Sequence, residues 1–267
     1  YNGSENFKKG YRFGFFPSVA VGWMMTNESF MSNLMETLSK LKLRASWGLV
    51  GNDKIGGRRF AYIPTISGAG GYSWGYLGQH SRGGLQEEHF GISDLTWETA
   101  EKINIGMELG LFNSINIQAD LFKEYRKDIF MQRKTIPEIA GYNNTPYANF
   151  GKVENKGLDL SLEVNHKFSK ELFMSVRGNF TYARNKVTEY DEPESLKNST
   201  RAQTGQSLKQ HYGLIALGLY TDDDFVNGKL KPEKPVSSCG EVQPGDIKYK
   251  DLNNDGKIDA YDKSNIC

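Results

Sequence analysis

Between Trp97 and Val187 four segments alternate apolar and polar residues with a period of two, and the connections between them are alternately very short and very long. Ile103, Ile105, Met107, Leu109 and Leu111 interleave with Asn104, Gly106, Glu108 and Gly110. After an Asn113-Ser114 turn, Ile115, Ile117, Ala119 and Leu121 interleave with Asn116, Gln118 and Asp120. A period of two marks a strand with one apolar face, so these two segments read as a hairpin. Leu158, Leu160, Leu162 and Val164, then Leu172, Met174 and Val176 across Ser169-Lys170-Glu171, read as a second hairpin.

The lengths carry the next step. From Ile115 to Tyr125 and from Leu172 to Tyr182 the pattern lasts about ten residues, beyond the usual five or six of a globular strand. Ten tilted residues cross a bilayer. Turns at one end have two or three residues, whereas Arg126 to Asn155 and everything after Val187 are long. Membrane barrels have that asymmetry, and Tyr125 and Tyr182 fall on the apolar parity where an aromatic girdle belongs. An ordinary soluble β core is the competing reading of the same alternation.

Lys42 and Arg44 sit on the parity opposite Leu41, Leu43, Ala45, Trp47 and Leu49, which places them toward a polar lumen. Tyr11 to Trp23 reads as one strand with an irregularity at Pro17. Leu34 and Leu38 in the Thr26 to Lys40 stretch, with Leu41 just after it, have helical spacing, with Asn27 or Ser29 as a cap. No apolar run approaches the roughly 18 residues of a membrane helix, so any crossing is made by strands. A mean hydropathy of -0.57 fits, because only alternate residues of such a strand face lipid. The net charge of +1 leaves no nucleic-acid footprint.

Residues 1–187 therefore read as wall, with a long loop at 51–95, and residues 188–267 as a polar outer loop region. The 51–95 loop is rich in glycine and carries Tyr72, Trp74 and Tyr76, which stack on a sugar face or a peptide side chain, or else pack on one another. Its glycines do not form a phosphate loop, and Arg58-Arg59 is expected to be solvated. Asp191 to Gln206 reads as exposed loop. Tyr1 is no initiator, and Cys267 directly follows a loop motif, so the chain reads as a piece of a longer one. Cys239 and Cys267 pair in an oxidising compartment, or remain thiols.

One ion-binding pattern stands out. Asp251, Asn253, Asp255, Gly256, Asp259 and Asp262 occupy positions 1, 3, 5, 6, 9 and 12 of a calcium loop, and Lys257 offers its backbone carbonyl. Position 12 is Asp where Glu is usual, and the preceding residues alternate like a strand, so the loop is more dockerin-like than EF-hand. A structural Ca²⁺ and an Asx-rich turn held by its own hydrogen bonds are the two readings.

Six motifs, in order, resemble the SusC/RagA family of TonB-dependent outer-membrane transporters. They are Gly14-Phe-Phe-Pro-Ser-Val-Ala-Val-Gly-Trp23, Glu28-Ser-Phe-Met31, and Leu41-Lys-Leu-Arg-Ala-Ser-Trp-Gly48 with Gly51-Asn52. Leu95-Thr-Trp-Glu-Thr-Ala-Glu-Lys-Ile-Asn-Ile-Gly106, Ala148-Asn-Phe-Gly-Lys-Val-Glu-Asn-Lys-Gly-Leu-Asp159 and the Pro244 to Asp259 stretch complete the set. The resemblance implies an all-β, antiparallel up-and-down transmembrane barrel, large and plugged, to which this chain gives about six strands and long extracellular loops. It also implies import of oligosaccharides or peptides across the outer membrane, with a SusD-like surface lipoprotein as partner. TonB would be contacted through an N-terminal part, with its plug, that these residues lack. Two other classes compete. One is a secreted, calcium-stabilised carbohydrate-binding β-sandwich. The other is a glycosidase using Glu87-Glu88, Glu98 and Glu101, for which nothing in the spacing sets a carboxylate pair across a cleft.

Overall fold

The computed structural model describes residues 1–265 apart from Met35, Gly57, Tyr142, Asn143, Lys170, Asn198 and Cys239. The suggested Cys239–Cys267 pair therefore lies outside the described residues. The chain divides into two compact units, Tyr1–Asp191 and Glu192–Cys267.

The first unit is built on a six-stranded antiparallel meander. Its strands are β1 (Ser18–Met24), β2 (Leu38–Asn52), β3 (Glu98–Leu111), β4 (Ile115–Gln132), β5 (Tyr147–Lys167) and β6 (Phe173–Glu189). Each pairs with the next in sequence, and the sheet does not close on itself among the described residues.

The register carries the alternation across all six strands. One row runs Val21, Ala45, Ile105, Leu121, Leu158, Tyr182, and the next Trp23, Leu43, Met107, Ala119, Leu160, Phe180. On the other face a row runs Lys42, Glu108, Gln118, Ser161, Asn179. Leu121 is 58% exposed and Val176 50%. A continuous bare apolar face of this size is untenable in water and natural against lipid.

The strands of 14 to 21 residues from β2 to β6 exceed the 9–11 that cross a bilayer. Beyond Tyr125 the alternation ends but β4 continues to Gln132, through register shifts at Ile129 and a left-handed Asp128 at φ 57°. The connection expected over Arg126 to Asn155 is thus only 133–146. At the opposite end Phe112 and Asn113, both at φ 51°, form the β3–β4 turn, in which the Ser114 N–H donates to the Leu111 carbonyl at 3.0 Å. Positive φ at both central residues matches the twist of the flanking strands. The Ser169 hydroxyl accepts from the N–H groups of Glu171 and Leu172 and closes the β5–β6 turn.

Three local expectations are corrected. The Thr26 to Lys40 stretch holds two 3₁₀ turns, Met25–Asn27 and Ser29–Leu34, and the helical spacing fails because Leu38 and Leu41 belong to β2, where they pair with Leu111 and Leu109. Tyr11 to Trp23 is not one strand: Phe13–Gly14 pairs with Asn2–Gly3, and β1 starts only after Pro17, which has no N–H for the ladder. The 51–95 loop contains its own hairpin, Thr65–Trp74 with His80–His89.

A small core caps the long-loop end of the sheet. Phe7, Ile55, Ile92, Leu95 and Trp97 are buried together, with Phe16 and Phe130 against them. Asn149 ties it to the wall: its amide donates to the carbonyls of Thr96 (2.9 Å) and Asp128 (2.8 Å), and its oxygen accepts from the Thr96 N–H at 3.1 Å. Arg59 is exposed as expected, in a solvated ion pair with Glu5, whereas Arg58 is half-buried and lies 4.1 Å over the Tyr147 ring.

The second unit is made of short pairs. Tyr212–Gly213 joins Ser264–Asn265, Ala216–Leu219 joins Ile247–Tyr249, and Val236–Ser237 runs parallel to Lys257–Ile258.

Because Leu162 lies on the apolar parity and Glu163 on the polar one, Leu162→Arg in the intact protein is expected to cost roughly 2 to 4 kcal/mol near mid-membrane. Glu163→Arg is expected to be mild. Denaturant unfolding in lipid vesicles compares the two, and equal defects would remove the membrane wall.

Candidate functional site

The polar face of the meander carries a network of charges that spans several strands. Glu108 accepts from Lys40 at 2.5 Å and lies 3.8 Å from Lys42 and 3.6 Å from Arg44. Arg44 also reaches Asp120 at 2.5 Å, although β3 lies between their strands. The strand between them places Gly106 at the crossing point, where a methyl group would fall on both side chains. Gln118 donates to the same Asp120 carboxylate at 3.2 Å, and Arg177 pairs with Glu163 at 3.0 Å. Around Lys40, Glu108, Gln118 and Glu163 the face forms a shallow depression of ≈ 250 Å³. Lys42 and Arg44 thus stand where their parity placed them, on a hydrated, charged surface. Asp159 and Arg177 share it.

The loop aromatics are brought together only in part. Tyr72 and Trp74 project from one edge of the loop hairpin with ring centroids 6.2 Å apart and planes 12° apart. His80 lies 6.0 Å beyond Trp74. The rings are open, with Tyr72 75% exposed and Trp74 43%. Tyr76 sits at the hairpin tip in a 3₁₀ turn, 81% exposed and apart from this stack.

The Asp251–Asp262 loop spends its oxygens on its own backbone. Asp251 accepts from the N–H groups of Asn254 and Gly256, Asn253 from Asp255, Asp255 from Lys257, and Asp259 from Tyr261. Asp262, fully buried, accepts from Leu252 and Asp259 at 2.8 Å each. Asn254 is left-handed at φ 57° and Gly256 at φ 79°, which makes the bend. Among the described residues no three His, Cys, Asp or Glu side chains converge as a metal site. Each of these side chains thus already accepts from a backbone amide of the loop, and an ionised carboxylate keeps further lone pairs beyond those bonds.

Two buried carboxylates were not legible. Asp191, expected in exposed loop, is 3% exposed and accepts from Arg133, from the Thr135 hydroxyl and from the Lys134 and Thr135 N–H groups. Burial pushes this carboxyl up, but those donors outweigh it and hold it at about 2. In the second unit Glu192, equally buried, accepts from the Gln203 and Thr204 N–H groups, again against its burial. Lys234, at 2.9 Å, and the Thr221 N–H hold the Asp224 carboxyl well below the usual range.

An antiparallel meander with one apolar and one charged face, and with short turns at one end and long loops at the other, defines the wall of a transmembrane β-barrel. The family model described as "TonB dependent receptor-like, beta-barrel" matches residues 1–265, and the chain belongs to that family. Curated relatives include the TonB-dependent receptor SusC of Bacteroides thetaiotaomicron, 28% identical over 98% of this chain and 25% of its own length. TonB-dependent receptors P3 and P26 of Formosa agariphila are 26% and 30% identical over 99% and 98% of this chain, and 26% of their own lengths. The chain thus spans about a quarter of these relatives. In fold it is similar to a chain in "Structure of the RagAB peptide transporter", with a TM-score of 0.70 and 23% identity over 99% of this chain and 27% of that one.

The sandwich alternative finds no support, since the matched family model and the curated relatives are TonB-dependent receptor barrels and receptors. The family's named members are receptors and not enzymes. Of the carboxylates considered for glycosidase chemistry, Glu101 accepts from the Trp47 indole at 2.8 Å and Glu98 from Asn52.

Two predictions follow from these contacts. Gly106→Leu should separate Arg44 from Asp120 and cost roughly 2 kcal/mol, the worth of a charged hydrogen bond, as read by denaturant unfolding. Asp191 ordinarily titrates at 3.8 and here at about 2, so its contribution is complete above pH 4 and is lost as pH falls through 2. That loss is about 2 kcal/mol, and Asp191→Ala should remove it from a pH series of unfolding curves.

Proposed function

We propose that this chain supplies wall strands and extracellular loops to a TonB-dependent importer in the outer membrane of a Gram-negative cell. The cargo would be oligosaccharides or peptides. The observation that carries this reading is the two-faced meander, whose register sets rows of apolar residues on one side across six strands and the Arg44–Glu108–Asp120 network on the other. The ordered motifs and the relative named SusC support import with a SusD-like surface lipoprotein over the barrel mouth. Energy would arrive from TonB through an N-terminal segment of the intact protein.

In this reading the charged face lines the barrel against its plug, and Tyr72 and Trp74 meet cargo at the mouth. Their nearly parallel open rings suit a pyranose face or a flat peptide side chain. With the intact importer and its lipoprotein in detergent, Tyr72→Ala/Trp74→Ala is expected to weaken cargo binding about tenfold, the worth of one aromatic contact of ~1.4 kcal/mol. Calorimetry with oligosaccharide and peptide mixtures checks this, and unchanged affinity for every cargo would remove the hairpin from the site.

For the Asp251–Asp262 loop the proposed role is structural, with Ca²⁺ as the cation that competes for oxygens now held by backbone amides. Four carboxylates around one bend favour a divalent ion with flexible oxygen coordination over Mg²⁺, which demands near-ideal octahedral geometry. Calcium added to the intact protein is then expected to protect residues 246–262 in hydrogen exchange, and Asp255→Ala to abolish that protection. Equal exchange in calcium and in chelator would leave an Asx turn held by its own bonds.

A further inference from the structure

The apolar face of the wall contains three cations in a single register row. Lys123 on β4 stands opposite Lys156 on β5, and Lys156 opposite Arg184 on β6. All three share the parity of Leu121, Leu158 and Tyr182, so they emerge on the same side of the sheet as the residues that face lipid. Along the row toward β1 the positions are Ile103, Trp47 and Val19, so the positive charge is confined to the β4–β6 side.

Below this row, on the short-turn side, the same face is hollowed. Ile105, Leu121, Leu158 and Tyr182 line a groove of ≈ 490 Å³, with Ile103 and the three cations of the row at its rim. Eight residues separate Ile115, at the short turn, from Lys123. That is about 27 Å along the strand at 3.4 Å per residue, or roughly 19 Å of height at a tilt near 45°. The row therefore stands toward the long-loop boundary of the hydrocarbon.

One carboxylate faces the cations. Glu154 lies 3.2 Å from Lys123 and 3.9 Å from Lys156, and Arg184 rests 5.8 Å over the Tyr182 ring. Lys186, next to Glu154 in the following row, adds a further positive charge, while Glu101 in that row is engaged by the Trp47 indole. Three cations against one carboxylate leave the row positive, and the lysine side chains are 53% and 70% exposed. Cations at the rim of a lipid-facing apolar groove match one chemistry: acyl chains below and an anionic headgroup above.

We propose that this groove is a specific site for a phosphate-bearing lipid of the leaflet nearest the long loops, with its phosphates on Lys123, Lys156 and Arg184 and an acyl chain along Leu121 and Leu158. The proposal rests on the barrel-wall reading. It concerns the outer surface of the wall and is independent of cargo.

The test uses the intact protein purified in detergent, with native mass spectrometry after titration with diphosphorylated lipid A, its dephosphorylated form, and phosphatidylcholine. Diphosphorylated lipid A is expected to bind at least tenfold more tightly than either of the others, and Lys123→Ala/Lys156→Ala/Arg184→Ala to abolish that preference. Equal binding of the three lipids to the unaltered protein would overturn the site, and so would a preference that survives in a folded triple variant. Heat-modifiable gel migration reports barrel assembly separately. Its absence in the unaltered protein would defeat the barrel reading, whereas its presence without lipid preference would defeat the lipid site alone. If the triple variant does not assemble, Lys156→Gln alone is expected to lower the preference at least threefold, and an undiminished preference there overturns the proposal.

Discussion

A peptide group in hydrocarbon has no water to bond with, so each N–H and C=O must find its partner within the protein. The rest of this structure depends on that constraint. It forces each strand of the meander to pair along its whole crossing length, which is why the register between β3 and β4, or β4 and β5, runs unbroken through the membrane portion and shifts only beyond Arg126. Once pairing is fixed the side chains have two directions, and the alternation assigns one to lipid and the other to the charged interior.

The two ends of the sheet solve different problems. At the short end, reversal is the only task, and a left-handed Phe112-Asn113 pair performs it in a few atoms. At the other end the strands outlive the bilayer, and buried aromatics around Trp97, bonded through Asn149, hold a loop with its own hairpin. Trp97 and Asn149 belong to different sequence motifs that resemble the family, and the structure shows what joins them: the Asn149 amide reads the backbone of the residue beside Trp97.

The membrane part of the fold was legible because lipid imposes a period of two on every residue it touches. Ile115 to Leu121 could hardly be read otherwise. Where strands leave the lipid that selection disappears, and β4 from Arg126 to Gln132 looked like loop although it is strand. The same limit hid Asp191 and Glu192. Each is a polar residue in a polar stretch, and its burial follows from amides that come from distant residues in one case and from a loop fold in the other. Lys123, Lys156 and Arg184 escaped notice because a single strand shows one cation at a time, and only the register shows a row. For the Asp251–Asp262 loop, spacing identified the residues and the bend, but whether oxygens turn to a metal or to amides is decided by side-chain torsions that no spacing encodes.

Gly106 has a consequence for dimensions. The bore of a barrel is fixed by the number of strands and by the cumulative stagger between them, and each neighbouring pair can in principle slip by two residues and keep its faces correct. An ion pair between adjacent strands resists such a slip at one junction. Arg44 and Asp120, joined over the bare backbone of Gly106, belong to strands two apart. A single contact therefore gauges two staggers at once, and the smallest side chain in the wall helps to set how wide the pore is.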